Sequence, residues 1–370
     1  MSGESAFPGA GPAFSSPRGG KVNLLNLGAR ELEGFIESLG QPPFRARQLW
    51  KWIWARGERD FSRMSDLALS LRAVLQDRAE VVRPETLCRQ IAADGTVKFL
   101  LRLSDGETVE SVLIPSESRM GKERFTLCLS CQVGCAMGCT FCSTGGMGFR
   151  RNMDMGEILG QVLAAGDYLA GIPGSPPLRN LVFMGMGEPL LNLGEVLRSL
   201  EALNSESGLS FSPRRITVST CGIEKGIREL GDAGLCYLAV SLHAPTQALR
   251  EKIMPAAARA FPLDRMFAAL RAYPLRARER LTFEYLLLGG VNDSLAEARE
   301  LAKIISGLKG KLNLILYNPV PGSPYRPPDA EAAQNFAGFL QSRNITATLR
   351  KGKGLDIRAA CGQLRSSCSA

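Results

Sequence analysis

Three amino-terminal segments carry apolar residues at helical spacing. In "ARELEGFIESLG" an apolar residue recurs every three or four positions and Gly40 follows, which predicts a helix that ends at this glycine. The same spacing predicts helices in "FRARQLWKWIWARG" and "DLALSLRAVLQD". The amino-terminal part of the chain is therefore expected to be helical.

The pattern then changes to alternation. Polar and apolar residues alternate in "ETLCRQIAADGTVKFLLRLSDGETVESVLIP", and the pairs Asp94-Gly95 and Asp105-Gly106 lie where hairpin turns are needed. This pattern predicts a small antiparallel β-meander. With the helices it predicts an α+β accessory domain over residues 23–115, preceded by a flexible Gly/Pro/Ser-rich leader over residues 1–22.

From Phe125 onward the chain repeats the order strand, loop, helix. Six apolar segments predict strands: "RFTLCLS", "NLVFMGM", "RRITVST", "LCYLAVSL", "LTFEYLLL" and "LNLILYN". Parallel strands in six β/α units form a partial or full barrel of the (β/α)6 type, whose functional residues lie at the carboxyl ends of the strands. We expect this α/β barrel over residues 116–350, followed by a carboxy-terminal segment over residues 351–370.

The charge of the chain favours a polyanionic partner. Its 370 residues carry a formal net charge of +9, and nucleic acid is the leading candidate for such a partner. No apolar run approaches the roughly 20 residues that a membrane-spanning helix needs. The amino terminus lacks the charged and apolar regions of a signal peptide. We therefore expect a cytoplasmic protein that acts on nucleic acid and not at a membrane.

The second predicted helix combines aromatic and basic residues. Trp50 and Trp54, four residues apart, share a face and are expected in the core, whereas Trp52 points elsewhere. The cations of this helix suit structured RNA, or form an ordinary solvated basic face; they are Arg45, Arg47, Lys51, Arg56 and Arg59. A second basic segment near the carboxyl terminus contains Arg343, Arg350, Lys351, Lys353, Arg358 and Arg365.

The ten cysteines are too sparse for a disulfide scaffold. Cys135, Cys139 and Cys142 follow the first barrel strand in C-x3-C-x2-C spacing. Three thiolates on one loop can bind a cubane iron–sulfur cluster and leave one iron open, and such a cluster can cleave S-adenosylmethionine to a radical. The alternative is a structural zinc with Cys131 as fourth ligand, although crowded cysteines lack the two separated hooks of most zinc sites.

Two polar residues at predicted strand ends are further candidates. Glu188 in "GMGEP" can accept hydrogen bonds from an ammonium group at the barrel mouth, although an isolated loop glutamate is usually solvated. His243 is the only histidine, which leaves a Ser-His-Asp hydrolase a single possible base. A lone histidine at a strand end is more often structural.

Several motifs together resemble one enzyme family. The cysteine spacing is similar to that of the radical S-adenosylmethionine superfamily. The segments "CLSCQVGCAMGCTFCSTGGMGFRRNM", "FMGMGEPLLN", "ITVSTCG", "VSLHAP", "EYLLLGGVND", "YNPVPG" and "DIRAACGQL" resemble the RNA adenosine methyltransferases of the RlmN/Cfr family. The resemblance covers about residues 22–365.

This resemblance implies methylation of adenosine C2 in the peptidyl-transferase region of 23S rRNA and in tRNA, at the adenosine 3′ of the anticodon. Methylation of C8 of the same ribosomal adenosine is the alternative within the family. A non-catalytic, zinc-containing RNA-binding protein is the alternative from another class. The family also implies a reductant such as flavodoxin or ferredoxin, and we expect a monomer.

The resemblance also implies roles for individual residues. It assigns one [4Fe–4S] cluster per chain to Cys135, Cys139 and Cys142. It makes Cys361 the carrier of the methyl group as S-methylcysteine, Cys128 the thiol that resolves the adduct through a transient disulfide, and Glu110 the proton acceptor. S-adenosylmethionine, two of which are consumed per methylation, is implied to contact Gly187, Glu188, Ser219, Ser241, Leu242, His243 and Asn318. Cys131 and Cys368 remain open as competing resolving thiols.

Overall fold

The computed structural model describes residues 20–117, 121–320, 322–350 and 352–365. Most of the predicted leader, Lys351 and Cys368 lie outside the described residues. The chain divides into two units between Val82 and Arg83. Within the described residues, none of the helices has the length and apolar character that a membrane span requires.

The first unit contains three helices and a short strand pair. The helices are α1 Ala29–Ser38, α2 Phe44–Trp50 and α3 Leu69–Arg78, and a π-helical turn over Lys51–Ala55 continues α2. Strands β1 Val22–Asn23 and β2 Ala79–Glu80 pair in parallel. The apolar stripe that predicted α1 is buried at Leu32, Phe35 and Ile36. The three predicted helices are therefore confirmed.

The tryptophans of α2 and its π-helical turn are divided between core and surface, as their spacing predicts. Trp50 and Trp54 are buried, and their ring centroids lie 5.6 Å apart. Trp52 is only partly buried; its indole donates to Asp66, and the guanidinium of Arg56 lies 3.8 Å from its ring centroid. A basic group thus covers an aromatic face at the surface.

The second unit is built on a ten-stranded sheet. Its first four strands are antiparallel: β3 Glu85–Ile91, β4 Val97–Arg102, β5 Thr108–Glu117 and β6 Glu123–Cys128. The first three are the predicted meander, and Gly95 and Gly106 turn with φ of 79° and 89°. The sequence pattern grouped the meander with the amino-terminal helices; in the structure β5 pairs with β6 and joins the meander to the barrel sheet.

A two-stranded hairpin, β7 Gln132–Gly134 and β8 Phe149–Asn152, follows β6. Six strands then extend the sheet in parallel beyond β6: β9 Leu178–Phe183, β10 Ile216–Thr220, β11 Tyr237–Ser241, β12 Leu281–Leu287, β13 Gly310–Leu316 and β14 Ala347–Arg350. The six predicted barrel strands are confirmed. Strand β14 is an addition, and its four residues are too few to give a recognisable pattern.

Helices connect the parallel strands: α4 Met155–Ala170, α5 Leu193–Asn204, α6 Glu224–Ala233, α7 Gln247–Ile253, α8 Pro255–Ala260, α9 Leu263–Arg271, α10 Leu295–Ile304 and α11 Ala330–Ser342. Helix α4 begins with a capping box, in which Asp154 and Glu157 each accept the other's backbone N–H. Because β3 and β14 are the two edges of the sheet, the described strands form a partial barrel. The carboxyl ends of its parallel strands meet at one mouth.

Candidate active site

The three spaced cysteines lie on the loop between β7 and β8. The Cys135 N–H donates to the carbonyl of Gly148 over 2.9 Å, and the Cys142 N–H donates to that of Cys139 over 3.1 Å. Gly134 has φ of 74°, and a Cβ there would lie 1.8 Å from the Gly148 carbonyl oxygen. The loop closes this tightly because position 134 has no side chain.

The three thiols face the apolar interior of the barrel. All three pack against one cluster of buried residues that includes Met137, Phe141, Cys221, Ile253 and Met254. Burial raises the pKa of the Cys135 thiol to about 12, and burial also raises that of Cys139, with the charge of Cys142 acting in the same direction on both. Without a metal the thiols of Cys135 and Cys139 are therefore protonated, and metal binding displaces those protons.

The described residues of the cysteine loop do not form a site for a single metal ion. Among the described residues, no three Cys, His, Asp or Glu side chains converge closely enough to hold one ion. A zinc draws every thiolate to about 2.3 Å from one point, whereas a cubane binds each cysteine at a different iron. Cys131, the fourth ligand of the zinc alternative, is buried and directs its thiol to the Met186 carbonyl. The geometry therefore gives the zinc alternative no support.

Glu188 lies in the loop that follows β9, where it caps the short 3-10 turn Pro189–Asn192, as its place after a strand in the sequence predicts. Its carboxylate is buried and accepts the backbone N–H groups of Cys221 at 2.8 Å and Leu190 at 3.1 Å. Burial raises the pKa of Glu188, and these hydrogen bonds oppose the rise. Gly187 turns with φ of 102°, and a Cβ there would lie 2.5 Å from Cβ of Gln132. The side chains of Thr220 and Cys221 also hydrogen-bond to the Glu188 carboxylate, so several donors from neighbouring segments fix its position.

The other predicted cofactor contacts also lie at strand ends. The hydroxyl groups of Ser219 on β10 and Ser241 on β11 are 3.2 Å apart. Leu242 is fully buried, and its N–H donates to the Glu284 carbonyl over 3.0 Å. Asn318 follows β13 and is buried. The fold therefore brings residues of three strand ends to the mouth.

His243 is held in one orientation. It has φ of 55°, its Nδ1 accepts the Leu286 N–H at 3.0 Å, and its carbonyl accepts the side-chain amide of Asn292 at 2.8 Å. Burial lowers the pKa of His243 from 6.5 to about 3, and the charge of Arg250 adds to this effect. The imidazole is therefore neutral at neutral pH, and Nε2 carries its proton. Asn292 belongs to the quoted motif "EYLLLGGVND", but nothing in the sequence predicted that its side chain holds the backbone of His243 in place.

The carboxy-terminal segment returns to the cysteine loop. The Ser143 N–H donates to the Gly362 carbonyl over 2.7 Å, and the Thr144 hydroxyl donates to the Leu364 carbonyl over 2.8 Å. Cys361 is an exposed residue, and desolvation of its thiol is the largest cause of the raised pKa of that thiol. The charge of Glu284 raises this pKa further, so Glu284 is also a neighbour of Cys361.

Cys128, at the end of β6, is a neighbour of Cys361. Burial raises the pKa of the Cys128 thiol, and the charge of Cys361 raises it further. Both thiols are free, so the disulfide expected between them as a transient species is not formed in this structure. Cys131, which follows Cys128 closely in the sequence, is also buried. Cys368, the other competing thiol, lies outside the described residues.

Glu110 connects the meander to the carboxy-terminal segment. It is fully buried on β5, and one carboxylate oxygen lies 3.2 Å from the ammonium group of Lys98. The other oxygen accepts the backbone N–H of Arg365 at 2.8 Å. The predicted proton acceptor is thus attached to the segment that carries Cys361. The sequence did not predict that Lys98 is buried and paired with Glu110, because a lysine in an alternating strand is normally solvated.

Sequence profiles of two known families match the chain. The profile of the ribosomal RNA large subunit methyltransferase N-terminal domain matches residues 22–81, and that of the radical SAM superfamily matches residues 129–302. The crystal structure of a radical SAM methyltransferase from Sphaerobacter thermophilus superimposes with a TM-score of 0.86 at 41% identity, over 93% of this chain and 99% of that one.

The open barrel and its three-cysteine loop therefore define a radical S-adenosylmethionine enzyme, a class that uses a [4Fe–4S] cluster and S-adenosylmethionine. Curated relatives narrow the class. The dual-specificity RNA methyltransferase RlmN of Nitratidesulfovibrio vulgaris (strain DP4) is 62% identical over 94% of this chain and 95% of its own length. The RlmN of Oleidesulfovibrio alaskensis is 57% identical over 94% and 96%. The chain belongs to the RlmN family.

Proposed function

We propose that this protein methylates C2 of adenosine in 23S rRNA, in the peptidyl-transferase region, and in tRNA, at the adenosine 3′ of the anticodon. The observation that carries the proposal is the attachment of the carboxy-terminal segment to the cysteine loop through Ser143 and Gly362. Cys361 directly precedes Gly362, so this attachment supports a role for the Cys361 thiol beside the cysteine loop. Relatives named for dual-specificity RNA methylation support both substrates.

In this proposal Cys135, Cys139 and Cys142 hold the [4Fe–4S] cluster, and the strand-end residues bind S-adenosylmethionine. The cluster and the cofactor, when bound, supply a 5′-deoxyadenosyl radical by reductive cleavage. Glu188 is suited to the ammonium group of the cofactor because it is a buried carboxylate whose position is fixed by backbone N–H groups. The remaining contacts are Gly187, Ser219, Ser241, Leu242, His243 and Asn318.

The protein's own residues then carry the one-carbon unit. A methyl group moves from the sulfonium of a first S-adenosylmethionine to the thiolate of Cys361, which is a good nucleophile. The S-methyl group of Cys361 would lose one hydrogen atom to the deoxyadenosyl radical, and its carbon would bond to the ring carbon of adenosine. Glu110 would then accept the proton of that ring carbon, and the adduct would give up its unpaired electron to the cluster. The thiolate of Cys128 attacks the sulfur of Cys361, the carbon–sulfur bond breaks, and the released carbon takes up a proton to become the methyl group of the base. The disulfide between Cys128 and Cys361 is then reduced by the external reductant. The electrostatic contact between the two thiols supports this pairing.

RNA binding is proposed for the two basic segments. Arg47, Lys51, Arg56 and Arg59 are exposed around the second helix. In the carboxy-terminal segment Lys353, Arg358 and Arg365 are exposed, and all three lie close to Cys361 in the sequence. Such cations engage the phosphate backbone. Because these RNAs are cytoplasmic, we propose a cytoplasmic enzyme. We also propose that the enzyme works as a monomer and receives its electrons from a flavodoxin or a ferredoxin.

Mass spectrometry of nucleosides tests the regiochemistry. RNA from a strain lacking the enzyme is treated with the reconstituted protein, S-adenosylmethionine and a reductant, and is then digested. We expect 2-methyladenosine from 23S rRNA and from tRNA. If 8-methyladenosine forms without the 2-methyl isomer, the C8 alternative is correct and the proposal is wrong.

A further inference from the structure

Strand β12 directs alternate side chains to the interior of the partial barrel. On its outer face Phe283 and Tyr285 pack against aromatic rings of α9 and α11, with ring centroids 6.2 and 5.4 Å apart. Leu286 belongs instead to the buried cluster against which the cysteine loop packs. Because successive side chains of a strand point to opposite faces, Glu284 points to the same interior face as Leu286.

A row of polar residues extends from Glu284 across the interior face of the neighbouring strands. In the register of the sheet Glu284 lies beside Ser241 of β11 and Asn313 of β13, and Asn313 lies beside Thr348 of β14. The side-chain amide of Asn313 donates to a carboxylate oxygen of Glu284 over 2.8 Å. The interior of a β/α barrel is normally filled with branched apolar side chains, so this polar row indicates a site for a polar ligand.

The row is open towards the edge of the sheet. Thr348 and Arg350, both on the interior face of β14, are exposed, and Asn313 is half-buried, whereas Glu284 is buried. Burial raises the pKa of Glu284, and the hydrogen bond from Asn313 and the charges of Arg350 and Lys311 oppose the rise. The interior face is therefore accessible from β14 as far as Asn313, and Glu284 supplies a hydrogen-bond acceptor at its inner end.

The carboxy-terminal segment meets the carboxyl ends of these strands. The side-chain amide of Gln363 donates over 3.1 Å to the carbonyl of Pro319, in the loop that follows β13. Gly362 is bonded to the cysteine loop, so Cys361 lies where the end of β13 meets that loop. The polar row lies roughly 10 Å back along β13 from its carboxyl end. A purine held at Cys361 can therefore extend towards Glu284, whose charge already acts on the Cys361 thiol.

We propose that Glu284 and Asn313 bind the amino edge of the target adenine and select it against guanine and uracil. The inference rests on the proposed function, in which an adenosine is joined to Cys361. Adenine presents an amino group beside an unprotonated ring nitrogen. The amino group donates to the carboxyl oxygen of Glu284, and the second N–H of the Asn313 amide donates to the ring nitrogen. Guanine and uracil present a carbonyl oxygen in place of the amino group, which sets an acceptor against an acceptor.

Strand β12 also offers a matched control. Thr282 precedes Glu284 by two residues, so it lies on the same interior face, and it is also buried. It is farther than Glu284 from the carboxyl end of the strand, where Cys361 lies. Thr282→Val removes a hydroxyl group from this face without changing the shape of the side chain.

The test compares kcat/KM of the full-length, reconstituted proteins for two tRNAs. One has adenosine at the target position, and the other has purine ribonucleoside, which lacks the amino group but keeps C2. We expect wild type to prefer adenosine by at least about tenfold, because a site built to hydrogen-bond a group rejects an analogue without it. Glu284→Met, which has no acceptor, should reduce the preference to within about threefold. Thr282→Val should keep the wild-type preference.

Comparing the preference between proteins cancels the effect of the missing amino group on the reactivity of C2, and also any loss of folded enzyme. Peptide mass spectrometry of S-methylation at Cys361 without RNA is a second readout, and we expect Glu284→Met to match wild type in it. Asn313→Leu replaces Glu284→Met if that variant does not fold.

The inference is wrong if wild type shows no preference, or if the variant of the polar row keeps the wild-type preference. It is also wrong if Glu284→Met does not methylate Cys361, which would assign Glu284 to the cofactor. Absence of 2-methyladenosine from the wild-type reaction on the tRNA with adenosine would instead refute the proposed function.

Discussion

The backbone N–H of Ser143 donates to the carbonyl of Gly362 over 2.7 Å. Ser143 follows the third cysteine of the loop, and Gly362 follows Cys361. This hydrogen bond therefore fixes the carboxy-terminal thiol beside the cysteine loop, although the whole parallel sheet separates the two segments in sequence. The next bond, from Thr144 to Leu364 at 2.8 Å, extends the attachment in the same direction.

Replacing Cys361 separates methyl transfer from cofactor cleavage. We expect Cys361→Ala to reduce RNA methylation by at least about a thousandfold, because no thiolate remains to take the methyl group. Reductive cleavage of S-adenosylmethionine to 5′-deoxyadenosine should persist, since the cysteine loop is intact. Chromatography of 5′-deoxyadenosine and of methylated nucleosides measures both. Normal methylation by this variant would show that Cys361 is not the carrier.

Replacing Cys128 should trap the enzyme on its substrate. We expect Cys128→Ala to accumulate a covalent RNA adduct at Cys361, because the neighbouring thiol that would release it is missing. A denaturing gel and peptide mass spectrometry detect the adduct. Cys131→Ala is the matched control, because its thiol is buried nearby and contacts the Met186 carbonyl. An adduct in the Cys131 variant alone would make Cys131 the resolving thiol.

The buried pair of Lys98 and Glu110 should be costly to break. Glu110→Gln leaves the buried Lys98 ammonium unpaired, and we expect a loss of about 3 kcal/mol in the free energy of unfolding. Urea denaturation of the metal-free protein measures it. The double variant Lys98→Met with Glu110→Gln should recover most of the loss. If the double variant is less stable than the single one, the ion pair is not the cause.

Acid should destabilise the protein through His243. Its pKa is about 3 when folded and 6.5 ordinarily, so between these values the unfolded chain binds a proton that the folded chain does not. The contribution to stability is complete above pH 6.5 and is lost as the pH falls towards 3. Between pH 7 and pH 5 we expect wild type to lose about 2 kcal/mol more than His243→Asn does in urea denaturation. Equal losses in the two proteins would contradict the low pKa.

The local pattern of the sequence predicted much of the fold. The apolar stripe of α1, the alternation of the meander and the six core strands each occupy enough residues to show their period. Strand β14 did not, because Ala347–Arg350 spans only two alternations. The pairing of β5 with β6 was also beyond the pattern, since a period shows which face of a strand is buried but not which strand lies beside it.

By itself, the sequence determined the three-cysteine loop, the strand-end positions of Glu188 and His243, and the resemblance that implied a role for Cys361. Only the tertiary structure decided that Gly362 bonds to Ser143, that Lys98 pairs with Glu110, and that the side chain of Asn292 holds His243 in place. The physical reason is the separation along the chain of the residues that come into contact. Spacing along the chain encodes contacts over a few residues, whereas burial and charge compensation arise between segments that meet only when the barrel packs.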